Sequence, residues 1–137
     1  MESALPYIEV GHFEADGANV ALTWDIDRNP DAFIAWNETK YATDATNTFL
    51  LWSKGYAAGD ASIMINDTTD GLKGVAETTN GITVADSVSY ADTANQTTAT
   101  HTLTFTLGSA FRGADSDEIH YIAIWANKFV DRGDINA

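Results

Sequence analysis

The chain has 137 residues, close to the commonest length of one domain and enough to bury one sizeable core. Hydrophobic residues make up 45% of it and aromatics 11%, with only 2 prolines, which is a globular rather than a disordered composition. Its 20 acidic against 7 basic residues give a net charge of -13, which repels nucleic-acid phosphates and anionic lipid headgroups, so neither nucleic acid nor a membrane surface is expected as a partner. The same acidity suits solubility at high salt.

Cysteine is absent, which removes disulfides, thiol nucleophiles and Cys-ligated zinc together. The stretch Met1 to Pro6 has neither a basic nor an apolar signal region, so it is read as a short arm rather than a secretory signal. No apolar run approaches the roughly 20 residues of a membrane-spanning helix; the nearest is Ile122 to Ala126. Three Asn-x-Thr sequons, at Asn37, Asn66 and Asn95, fall in a threonine-rich chain and are assigned no role.

Period-two alternation dominates and no helical stripe persists, so the expected class is all-β. Tyr7 to Phe13 alternates, Ala15 to Asn19 supplies turn residues, and Val20 to Trp24 follows, which predicts a hairpin. Asp25 to Pro30 is a loop. Ala32 to Asn37 is largely apolar and predicts a central strand covered on both faces, and Thr46 to Ser53 is another strand. Gly55 to Ala61 reads as a small-residue loop, Ala61 to Ile65 as a short strand, and Asn66 to Gly71 as the turn that closes it. Leu72 to Thr78 is a weaker strand that would pair with Ile82 to Ala85 through Thr79-Asn80-Gly81. Asp86 to Thr98 is polar and reads as an exposed loop.

His101 to Leu107 alternates strictly, burying Leu103, Phe105 and Leu107 and leaving threonines on the other face. A loop over 108–117 leads to a last strand, Glu118 to Ala126, and 127–137 is a polar tail. About eight strands over this length predict one antiparallel β-sandwich, jelly-roll-like, spanning 1–137.

The residues that could carry chemistry have simpler uses. His12, His101 and His120 lie in strands without the spacing of a zinc site. The acidic groups Asp25/Asp27/Asp31, Asp67/Asp70 and Asp115/Asp117/Glu118 miss the EF-hand pattern and read as solvated loops rather than calcium sites. No nucleophile elbow, P-loop or dinucleotide fingerprint occurs, and sequence places no carboxylate pair across a cleft. The expectation is therefore a protein without catalytic residues, metal or cofactor. The tryptophans Trp24, Trp36, Trp52 and Trp125 sit among aliphatics, where core packing explains them; Trp24 and Trp36, flanking the acidic loop, are the exceptions that would face a ligand or partner. The candidate partner or ligand surface is Trp24, Trp36, Tyr56, Phe111 and Arg112, with the loops 55–61 and 108–117 and the termini as contact regions.

Five segments carry a resemblance across most of the chain: Ile8 to Phe13, Trp52-Ser53-Lys54-Gly55 running on to Gly59, Asn80 to Val84, Phe105 to Gly108, and His120 to Trp125. Their order resembles small β-sandwich virion decoration proteins of tailed phages, in which an early glycine-containing hairpin precedes a W-x-K-G segment. The last segment is also similar to the final strand of H-type lectin-like fibre domains, although no sugar-binding residues carry over. The first resemblance implies a cement protein, a homotrimer on the capsid exterior that binds the major capsid protein and stabilises the head after assembly in the host cytoplasm. The second implies a receptor- or carbohydrate-binding module of a tail fibre.

Overall fold

A computed structural model describes residues 5–43, 46–93 and 96–126. The polar tail at 127–137 and most of the arm at 1–6 lie outside the described residues. Nine strands are present among the described residues, rather than about eight: β1 (Tyr7–Glu14), β2 (Val20–Ala21), β3 (Ala32–Asn37), β4 (Thr46–Ser53), β5 (Ala61–Asp67), β6 (Gly71–Glu77), β7 (Ile82–Thr93), β8 (Gln96–Leu107) and β9 (Glu118–Trp125). They form a six-stranded sheet in the order β1-β9-β3-β4-β5-β6 and a three-stranded sheet in the order β2-β8-β7. All pairings between these strands are antiparallel, and the two sheets pack as a sandwich.

Alternation decides which side chains enter the core. Phe33 and Ala35 of β3, Leu50 and Trp52 of β4, and Ile119, Ala123 and Trp125 of β9 point inward from the larger sheet. Ile82, Phe105 and Leu107 meet them from the smaller one. Phe105 bridges the layers, its ring centroid lying 5.0 Å from Phe33 and 5.2 Å from both Trp24 and Trp52. Leu103, expected with the buried set, is only half-buried.

Three expectations about pairing are corrected. The segments at 7–13 and 20–24 form no hairpin: β1 runs along β9, with Tyr7 opposite Trp125 and Glu14 opposite Glu118, while Val20 and Ala21 pair with Leu107 and Thr106. The segment at 72–78 pairs backward with β5, so the Asn80-Gly81 turn crosses from one sheet to the other instead of closing a hairpin. Asp86 to Thr98 is no loop. Its described residues, 86–93 and 96–98, belong to a ribbon in which β7 pairs with β8 from Ile82 opposite Leu107 out to Thr93 opposite Gln96.

The crossover at 80–81 is tight because three glycines bring backbones together. The Gly81 amide donates to the Gly59 carbonyl at 2.8 Å, and the Gly108 amide donates to the Gly81 carbonyl at 2.8 Å. A Cβ on Gly81 would stand 2.7 Å from the Gly59 oxygen, inside any real contact.

Candidate functional site

The residues expected on a contact surface separate into anchors and exposed groups. Trp24 is partly buried, with its ring 5.2 to 6.2 Å from Phe33, Phe105, Tyr121 and Trp125, so it packs against the core. Phe111 is buried at 3% exposure and anchors the 108–117 loop instead of presenting a contact. Arg112 donates from Nη1 to Asn19 Oδ1 at 3.0 Å, tying that loop to the turn at 15–19. Tyr56 is exposed, its hydroxyl 3.0 Å from Ser62 Oγ.

Trp36 alone of the four tryptophans points out of the sandwich. On β3 the side chains of Phe33, Ala35 and Asn37 face inward, which turns Trp36 to the outer surface of the six-stranded sheet. Its indole stacks on His120 at 5.7 Å and 11°, and His120 stacks on His12 at 5.4 Å. Trp36, Glu38, Tyr41 and Phe49 line a shallow cavity of about 430 Å³.

The titratable groups have structural partners. Nδ1 of His12 lies 2.8 Å from Glu118 Oε2, and His120 pairs with Glu38. His101 sits between Asp86 and Asp27; hydrogen bonds to Asp86 first and Asp27 second raise its pKa above 6.5. This triad fastens the Asp25 to Pro30 loop onto the β7–β8 ribbon, assisted by Asn29, which donates to the Ala85 carbonyl at 3.0 Å. Asp67 accepts from the amides of Thr69 and Asp70, which lower its pKa below 3.8, and so caps the β5–β6 turn. Asp117, buried at 4% exposure, accepts from Asn37 Nδ2 and from the Ala114 amide, each at 2.9 Å. Among the described residues, no group of three or more His, Asp or Glu side chains is placed to hold a metal ion.

Two surfaces remain without an internal explanation. The first is the distal part of the β7–β8 ribbon. Val88 and Tyr90 continue the face on which Ile82 and Val84 meet the core, yet Val88 is 50% and Tyr90 71% exposed. From Asp86 to Thr93 the ribbon runs for about 25 Å at the usual rise per residue. A two-stranded ribbon exposed on both faces is marginal in water.

The second is the outer face of the six-stranded sheet. Register places Val10, Ile122, Ile34, Leu51, Ser62 and Ala76 in one row across all six strands. The neighbouring row is His12, His120, Trp36, Phe49, Met64 and Gly74. Neither row carries a carboxylate, although the chain has 20 acidic residues. Sequence reasoning placed Trp36 on a surface but missed this face, whose signal lay in central strands that are apolar at consecutive positions.

Comparison of the chain with protein-family profiles, with curated proteins and with solved structures finds no match.

Proposed function

We propose that this chain is a non-enzymatic structural protein that decorates the outside of a viral capsid, binding the major capsid protein and stiffening the shell. The observation that carries the reading is the β7–β8 ribbon, which runs past the layer that would cover it and, beyond the paired Asp86 and His101, carries an exposed strip with Val88 and Tyr90 on it. Such a strip gains its stability by lying on a neighbouring subunit, as an arm that ties adjacent shell proteins together does. The sandwich beneath the arm is rigid, held by a core of interlocked aromatic rings. The histidines and the buried carboxylate are engaged in pinning loops and strands, which suits a stiff mount rather than a reacting centre. A symmetric oligomer on a symmetric lattice multiplies weak single contacts into firm attachment. The virion resemblance carries a homotrimer with it.

The test is to release the protein from purified particles and measure their resistance to heat and osmotic shock. Lower resistance, restored when the protein is added back, supports the reading. Stripped particles as robust as intact ones end it.

Trp36 favours one second reading, a carbohydrate- or receptor-binding module. An outward indole beside Tyr41 and Phe49, with the Glu38 carboxylate at the rim, is the kind of platform on which a sugar ring stacks. Glycan binding that quenches the fluorescence of the native chain but not of Trp36→Phe would favour it over decoration.

A further inference from the structure

We propose that the outer face of the six-stranded sheet is where a second copy of this chain packs, face to face, as a two-fold pair. The inference stands apart from the decoration reading and sets a two-fold pair in place of the trimer that the virion resemblance implies.

A sandwich that lives alone alternates apolar and polar residues, so that each strand shows water a polar face. Here the strands at the middle of the sheet are apolar on both faces, and the fold covers only one. Val10 is 74% exposed, Ile8 56%, Leu51 44% and Met64 40%, all on the uncovered side. Six strands about 4.8 Å apart and about seven residues of each strand at about 3.3 Å span roughly 29 by 23 Å, near 650 Å² per copy. Two copies would bury about 1,300 Å², within the range of specific interfaces and above that of most crystal contacts.

Shape favours the same chain as the occupant. On the β1-β9-β3 half the face is raised by Val10, Ile122, Ile34 and Trp36. Toward β6 it falls away over Ser62, Gly74 and Ala76, which border a groove of about 360 Å³ between Phe49, Leu51 and Met64. A Cβ added at Gly74 would meet nothing within 4 Å, so the groove is open. Rotation by a half turn about an axis parallel to the strands sets the raised half of one copy over the groove of the other. Each ridge then fills its partner's groove, so the same contact is made twice, as an isologous interface requires.

Charge adds a signature. Each copy carries -13, so pairing works against long-range repulsion, while the two middle rows of the contact carry no carboxylate and Glu14, Glu38 and Glu118 sit at one edge of the face beside His12 and His120. Salt should therefore tighten the pair, whereas it would loosen a contact with a basic partner.

The experiment is sedimentation equilibrium on the full chain as salt is raised from about 0.1 M to about 1 M, which shortens the screening length from about 10 Å to about 3 Å. The expected mass is that of two chains, held more tightly at high salt. Val10→Glu puts a carboxylate on the ridge and Gly74→Phe fills the groove. Each is expected to weaken pairing by about tenfold or more, with circular dichroism confirming that the sandwich still folds. Thr102→Lys, on the smaller sheet, should leave pairing intact. A mass of one chain at every salt overturns the proposal. So does a trimer indifferent to Val10→Glu and Gly74→Phe, or a pair that loosens as salt rises.

Discussion

Replacing Phe105 by alanine probes the sandwich where its layers meet. The side chain is fully buried and comes from the smaller sheet, while Phe33 and Trp52, on the larger sheet, stand 5.0 and 5.2 Å from it. Burial of about 200 Å² of aromatic surface at about 25 cal/mol per Å² gives about 5 kcal/mol, and buried Phe to Ala changes cost about 3–5 kcal/mol. The rings around it are rigid and braced against one another, so the cavity collapses little and about 4 kcal/mol is expected. That is a large share of a total stability of about 5–15 kcal/mol. For a chain of this size it lowers Tm by roughly 12–20 °C. Thr104→Ala, one residue away on the exposed face, should stay within about 0.5 kcal/mol. Urea unfolding and a thermal melt followed by near-ultraviolet circular dichroism measure both. A Phe105→Ala cost below about 1 kcal/mol would refute the packing of the two sheets through this ring.

Other changes test separate parts of the account. His101 has its pKa raised by Asp86 and Asp27, so it binds its proton more tightly folded than unfolded. Its contribution to stability is complete below the ordinary value of 6.5 and disappears as pH rises through the raised folded value. Melts from about pH 5 to about pH 8.5 should therefore show the advantage of native protein over His101→Gln shrinking with rising pH, and a constant gap contradicts the latch. Gly81→Ala forces a Cβ against the Gly59 and Asp60 backbones and should cost about 1–3 kcal/mol by urea titration, while Gly74→Ala, in open space, should cost nothing. Tyr90→Ser should leave the free protein's melt within about 0.5 kcal/mol of native and yet reduce retention on particles in a co-sedimentation assay. Equal retention would remove the ribbon from the interface.

Much of the fold was legible because burial on one side writes itself into alternate residues. The segments at 32–37, 46–53, 101–107 and 118–126 are all strands, within a residue or so or as part of a longer one. Pairing was not legible, since alternation says which way a side chain points and nothing about which strand lies beside it. Hence β1 and β2, close in sequence, belong to different sheets. The ribbon was missed because no sheet covers it beyond the point where the Asp25 to Pro30 loop is fastened, so serines, threonines and alanines fill it and the strand pattern fades into apparent loop. Val88 and Tyr90, in phase with Ile82 and Val84 but separated from them by Asp86, were the signal available. Trp24 and Trp36 looked alike because each sits among apolar neighbours. Only the phase of β3 separates the outward Trp36 from the inward set. Phe111 stood by itself in a loop, and a single aromatic there does not announce that it plugs the core.

A cryo-EM reconstruction of the assembly in which this chain occurs tests the central claim most directly. The account predicts density for the sandwich on the outer surface of a protein shell, with the distal part of the β7–β8 ribbon lying across an adjacent subunit and Tyr90 in the contact. A chain held at the tip of a fibre with Trp36 against a sugar, or one whose ribbon points into solvent, would contradict it.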